Sequence, residues 1–334
     1  MNNNPYASEI AWGIIGCGNV TEVKSGPALQ AVPHSHLAAV MRRSAARAED
    51  YARRHGVPRW YADADGLIAD PEVNAVYVAT PPDSHARYAI QAMRARKAVY
   101  VEKPMARTHA ECLEMLRVQQ ECGVPLFVAY YRRALPGFVK VKELIETGEI
   151  GLVRLVQVRF LRPLDDVSGG LPWRLRPEIS GGGLFFDLAC HTLDYLDFLF
   201  GPIGWIQASA FNQGRAYAAE DTVLANWRHQ NGVAGSGSWY YAAPASLARD
   251  EIEILGSEGR IRLSTFDFVP IVVEQNKRKK QYSRPKPDHV QQFLIENIVA
   301  ALRGEAEPLS SGESGARTSA VMEEMVRGYY RFEN

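Results

Sequence analysis

The chain has 334 residues, a length that suggests about two domains. Lys plus Arg and Asp plus Glu are 38 each, so the formal net charge is zero, which leaves a nucleic-acid partner without electrostatic support. A 46% apolar and 23% charged composition is that of an ordinary soluble globular protein.

No apolar run reaches membrane length, and the longest candidate is interrupted by Asp187, His191, Asp194 and Asp197. Met1–Ile10 is polar and lacks an apolar core, so no secretion signal is expected. Cysteines stand at 17, 112, 122 and 190, without metal-ligand spacing. They read as buried or turn thiols in a reducing cytoplasm.

Along the chain, Trp12-Gly13-Ile14-Ile15 is a short apolar strand. It leads into Gly16-Cys17-Gly18-Asn19-Val20-Thr21. This is the strand–turn–helix pattern of a dinucleotide site. Gly16 permits the tight turn, Gly18 lets a pyrophosphate approach the backbone, and Asn19 and Val20 open the helix that offers N–H groups. Thr21 stands at the third glycine position. A two-glycine turn taken alone is equally a bare structural turn.

His36–Val40 reads as the second strand. Ala45–His55 is a helix, with Ser44 as its cap and Gly56 as its stop. Val73–Ala79 is a buried strand ending at Thr80-Pro81-Pro82, and Ser84–Ala95 is helical. Strand 98–101 stops at Glu102-Lys103-Pro104. A continuous apolar run of this kind belongs inside a parallel sheet, so Lys103 is expected at the carboxyl edge, where such sheets bind ligands. Thr108-His109-Ala110-Glu111 opens a helix ending near Gly123, and Leu126–Ala129 is a further strand. This alternation predicts a doubly wound parallel sheet.

The pattern then changes. Leu152–Leu161 is a strand, and 162–183 is a loop rich in Pro, Gly and Arg. A long apolar helix over 184–200 places Asp187 and His191 at i and i+4, on one face. Such a carboxylate can fix the imidazole tautomer; the bland alternative is a His satisfied within its own helix. Strands recur near 205–212, 221–229, 233–241, 250–256, 260–265 and 268–274, with hairpin signals at Gln230-Asn231-Gly232 and Ser257-Glu258-Gly259. The basic run 276–280 reads as a solvated loop. Helices close the chain near 288–303 and 313–328. The fold class is therefore α/β: an N-terminal Rossmann domain over 1–128, then an α+β domain over 129–334 built on an open, mainly antiparallel sheet.

These pieces together resemble the glucose–fructose oxidoreductase/inositol dehydrogenase (Gfo/Idh/MocA) family. The matching segments are Gly13–Asn19, Ala79-Thr80-Pro81-Pro82-Asp83-Ser84-His85, Glu102-Lys103-Pro104, Tyr131-Arg132-Arg133, and Gly181-Gly182-Gly183 followed by Asp187 and His191. They occur in the family's order. The resemblance implies an NAD(P)-dependent oxidoreductase acting on a sugar, polyol or inositol-like carbon. It puts Lys103, Asp187 and His191 in the catalytic places, and Thr80, Pro81, His85 and Glu102 beside the cofactor. It also implies a cis Lys103–Pro104 bond and a homodimer or homotetramer formed through the C-terminal sheet. The rival from another class is a dinucleotide-binding sensor or transcriptional co-regulator, which has no need of that trio.

Cofactor choice is argued locally. An NAD site places an acidic residue at the end of the second strand, to hold the ribose 2′-OH. Here that place reads Met41-Arg42-Arg43-Ser44. Two guanidiniums and no carboxylate favour NADP over NAD. In oxidation of a secondary alcohol, His191 is the general base, Asp187 orients it and Lys103 stabilises charge developing on the oxygen. Trp173 and Arg174 in the 162–180 loop, with Tyr131 and Arg133 after the first domain's last strand, are the candidate substrate contacts. An ordinary polar covering loop is the alternative. No metal site is expected.

Overall fold

The computed structural model describes Tyr6 and residues 8–330. The chain divides into two compact units, Met1–Ala134 with Pro287–Ala316, and Leu135–Lys286 with Arg317–Asn334.

In the first unit, β1 (Ile10–Ile15), β2 (Ser35–Met41), β3 (Arg59–Tyr61), β4 (Ala75–Val78), β5 (Ala98–Val101) and β6 (Leu126–Val128) form one parallel sheet. Its order is β3-β2-β1-β4-β5-β6. Every residue of β1, β4 and β5 is buried. Both faces of these strands are covered, which is why their sequences run apolar without alternation. The order reverses beside β1, so the turns after β1 and β4 open at a switch point.

Two local departures from expectation concern caps. Ser44 occupies the cap position of helix Ala45–His55, yet its side chain makes no capping bond. Thr108 does cap helix His109–Cys122, accepting from Glu111 N–H at 3.1 Å. Glu111 reaches back one residue further than a capping box requires, to the Arg107 N–H at 3.0 Å.

A division at 128/129 would group residues 287–316 with the second unit. They pack in the first, because helix Gln292–Arg303 buries Leu294, Ile295, Ile298, Val299 and Leu302 in the same core as Trp12, Tyr77 and Tyr100.

In the second unit, β7 (Val153–Leu161), β8 (Ile203–Phe211), β9 (Thr222–His229), β10 (Ala234–Tyr240), β11 (Arg249–Gly256), β12 (Gly259–Leu263), β13 (Ile271–Gln275) and β14 (Arg278–Tyr282) form a sheet ordered β14-β13-β12-β11-β7-β10-β9-β8. Its pairs are antiparallel except β7 with β10, which are parallel. β14 corrects the reading of the basic run as a loop. Asn276 and Lys277 both take positive φ, 50° and 65°, and close a two-residue hairpin. That conformation matches strand twist, but a lysine in it carries no sequence signal. Arg278, Lys279 and Lys280 stay exposed on the edge strand, where charge discourages further pairing. A helix over Pro136–Glu146, with Pro136 in its first turn, was also not foreseen. On one sheet face Phe185 packs on Trp239, which sits beside Trp227, and helix Cys190–Phe200 meets the sheet where Phe200 packs on His229. Among the described residues no helix is long and apolar enough to cross a membrane.

Candidate functional site

On the first unit, the carboxyl ends of β1, β4 and β5 bring three motifs to one edge. Ile15, Val78 and Val101 lie in register, so Gly16, Thr80 and Lys103 follow at neighbouring positions. Gly18 is the cap of helix Asn19–Val23, and its N–H donates to Thr21 Oγ1 at 3.0 Å. That N–H is therefore already used, and Asn19 and Val20 supply the helix's leading N–H groups. Thr21, in place of a third glycine, is fully buried. Its carbonyl accepts from the Tyr51 hydroxyl at 2.9 Å, and the helix ends within two residues. The close approach usually served by the third glycine has moved to Gly26, where a Cβ would lie 2.3 Å from Thr21 O.

Arg42 is half-buried and donates from Nη1 to the Cys17 carbonyl at 3.3 Å, inside the glycine turn. Arg43 is exposed. Glu22 is committed to protein partners, with Arg54 at 2.7 Å and His55 at 2.8 Å. The Arg54 guanidinium and the His55 ring hold its carboxyl down to about 2.

His85 is fully buried, with Nε2 2.7 Å from Thr80 O and Nδ1 2.9 Å from Pro104 O. It braces the Thr80-Pro81 turn against the Lys103-Pro104 turn, whose peptide bond is cis. Burial lowers its pKa, against the opposing pull of those two carbonyls. Glu102 is buried too. It accepts from Tyr77 Oη at 2.6 Å, Gln291 Nε2 at 2.7 Å and Lys103 N–H at 3.1 Å. His85 and Glu102 thus meet the sheet edge through protein contacts, and half-buried Lys103 follows Glu102 directly in sequence. Tyr131 and Arg133 share a short 3₁₀ turn after β6. Arg133 is buried and donates to Leu309 O at 3.3 Å, so it braces this turn.

On the second unit, helix 184–200 is not uniform. Residues Phe185–Ala189 form a π-turn, and Cys190–Phe200 is the α-helix. The wider turn replaces the simple i, i+4 relation expected of Asp187 and His191; such bulges recur at functional sites. His191 is 4% exposed and meets the Phe266 ring edge-on at 5.9 Å. Asp187 accepts from Arg174 Nε at 3.1 Å. The Arg174 guanidinium also lies over the Trp173 ring, 4.2 Å from its centroid. Two residues expected to meet substrate directly therefore form a Trp173–Arg174–Asp187 chain. That pairing had no signal in sequence, because the loop joining them has no regular period. Asp194 accepts from the Thr318 hydroxyl at 3.4 Å, and Asp197 pairs with Arg317 at 2.8 Å. Among the described residues no cluster of metal-ligating side chains occurs.

Glu220, which no motif in the sequence marks, holds the loop that leads into the Asp187 turn. It is fully buried and accepts from the Gly183 N–H with both carboxylate oxygens at 2.8 Å. Burial pushes its carboxyl up to about 7.

Two family descriptions match the chain: "Oxidoreductase family, NAD-binding Rossmann fold" over residues 10–130, and "GFO/IDH/MocA C-terminal domain" over 138–262. The protein is 38% identical over 319 residues to "Oxidoreductase P35" of Formosa agariphila, covering 95% of this chain and 98% of that one. It is 27% identical over 318 residues to a 1,5-anhydro-D-fructose reductase of Ensifer adhaerens, covering 93% of each. A solved structure, the WlbA dehydrogenase from Bordetella pertussis in complex with NADH and UDP-GlcNAcA, superposes with a TM-score of 0.82 at 25% identity, over 96% of each chain.

Proposed function

Because the chain belongs to the Gfo/Idh/MocA oxidoreductase family, we propose that it interconverts a secondary alcohol and its carbonyl on a sugar, polyol or inositol-like substrate, using NADP. The observation that carries this reading is the placement of Lys103 just after β5, at the same carboxyl edge of the parallel sheet as the glycine turn after β1, with only β4 between the two strands. The relatives named as an anhydrofructose reductase and as a dehydrogenase holding a nucleotide sugar support a carbohydrate-like substrate.

The residues present fit a dinucleotide. A Cβ on Gly18 would meet only Gly16 O, at 3.8 Å, so the backbone there is open to a ligand. Gly16, Gly18, Asn19 and Val20 would hold the pyrophosphate, Arg42 and Arg43 the ribose end, and Thr80 and Pro81 the edge beyond β4. The bound nicotinamide supplies the hydride acceptor in oxidation and the donor in reduction. Lys103 offers a fixed cation to charge developing on the substrate oxygen. His191 accepts the alcohol proton, or returns it in reduction. Asp187, tied to Arg174, orients that imidazole. In this reading the first unit binds cofactor, and the second binds substrate. A spectrophotometric screen of sugars, polyols and inositols with both nicotinamides tests the proposal. Absence of any cofactor-dependent turnover across those classes would sink it.

The preference for NADP rests on Arg42 beside the glycine turn and on the missing acid after β2. Replacing Arg42 and Arg43 together by alanine should weaken NADP binding by roughly 10- to 100-fold, the worth of charge-assisted phosphate contacts of about 1.5–3 kcal/mol. NAD binding should change far less. Equal losses for both cofactors by titration calorimetry would show that the pair does not read a 2′-phosphate.

The outward face of β8 and β9 exposes Trp205, Phe211 and Leu224, the last two lining a shallow concavity of about 660 Å³. It is the face through which we propose that copies of this chain associate. Light scattering that reads a monomer at micromolar concentration contradicts this.

A further inference from the structure

The glycine loop over 181–183 is held by groups that the proposed reaction does not use. Glu220 precedes β9 and is fully buried, with its carboxylate on the Gly183 N–H. The Tyr330 hydroxyl, from the end of the described chain, donates to the same carboxylate and accepts from the Glu220 N–H at 3.2 Å. Tyr329 donates to Ala218 O at 2.8 Å, tying the same two segments together. A Cβ at Gly183 would lie 2.5 Å from Glu220 O, so only glycine admits this approach.

What Gly183 holds follows directly in the chain. The Phe186 N–H returns to Gly183 O at 3.1 Å and starts the π-turn. Asp187 is the next residue, and His191 lies in the first turn of the α-helix behind it. A buried carboxylate is costly to desolvate, and removing its partners is costlier still. Here that cost is borne at the one loop that enters the Asp187–His191 turn.

We propose that Glu220, backed by Tyr330, is a positioning residue: it fixes Gly183 so that the π-turn presents Asp187 and His191 in a single orientation. The proposal rests on the reading of Asp187 and His191 given above. The groups facing Glu220 are Tyr330, neighbouring Asp221, and the buried phenols Tyr217 and Tyr241. Its carboxyl, raised to about 7 by burial, binds a proton more tightly in the folded than in the unfolded chain. Folded stability from this group is therefore present at low pH and is lost as pH rises through about 7.

Glu220→Gln and Tyr330→Phe, measured beside His191→Ala, test the proposal. Glu220→Gln should lower kcat by roughly 10- to 100-fold, the range found for groups that orient a catalytic ligand from behind. Cofactor affinity should stay unchanged. Amide hydrogen exchange over 181–191 should quicken, and the decline of the melting temperature through neutral pH should flatten. Tyr330→Phe should move kcat and exchange the same way by less. If either readout is unchanged in a folded Glu220→Gln protein, the proposal is overturned. Should that variant not fold, Tyr330→Phe decides by the same two measurements. A His191→Ala protein that still turns over overturns the reading of the site instead, while exchange over 181–191 still reports whether Glu220 holds the loop.

Discussion

His191→Ala is expected to abolish alcohol oxidation, with a loss of roughly 10²–10⁴-fold in kcat, the usual worth of a positioned acid–base group. His191 must be neutral to accept the alcohol proton. In the parent protein, kcat for oxidation should therefore rise with pH through one ionisation, and the variant should lack that limb. The ring is buried and packs edge-on against Phe266, so the variant should also melt somewhat lower. A thermal melt run beside the pH–rate series separates the two effects. A lower melting temperature with kcat and its pH profile intact would make His191 a packing residue. Asp187→Asn should keep the fold and slow turnover less than loss of the imidazole, since it removes orientation and the tie to Arg174 but leaves the base in place. A flat pH profile in the parent, with hydride transfer shown to limit the rate by a deuterium isotope effect, would remove His191 from the mechanism.

Lys103→Ala is expected to cut kcat by roughly 10²–10³-fold, as loss of a preorganised charge beside a developing oxyanion does. Its charge is wanted mainly in the transition state, so affinity for the cofactor should change little. The backbone around it is fixed independently of the side chain. The Lys103 N–H donates to Glu102, and Pro104 O lies on the His85 ring. The variant should therefore fold. Turnover within a few-fold of the parent would make Lys103 structural. Lys103→Arg separates charge from shape: retention of most activity would mean that a cation alone suffices, and a loss as deep as alanine's would mean that the ammonium's placement matters.

β5 was readable to the residue, 98–101, because a strand buried on both faces needs no alternation and so appears as an uninterrupted apolar run. Helix His109–Cys122 was readable from its Thr108 cap and Gly123 stop, and Ala45–His55 from its Gly56 stop, because such signals are local chemistry, written within a few residues of each boundary. The motifs at Gly16, Thr80 and Lys103 were found singly for the same reason, and the parallel strand order then made their meeting at one edge foreseeable. β14 escaped because its turn uses a lysine at positive φ, a conformation that tertiary pairing imposes and composition does not announce. The π-turn escaped because one inserted residue leaves the apolar pattern of a helix nearly intact. Residues 287–316 return to the first unit, and Arg174 reaches Asp187, through contacts between segments that share no local period. Glu220, Gly183 and Tyr330 are 37 and 110 residues apart in pairs, so no spacing could have joined them. Short-range patterns record what a backbone needs from its immediate neighbours. Which buried carboxylate meets which N–H is decided only when the chain closes on itself, because desolvation and close approach exist only in the packed state.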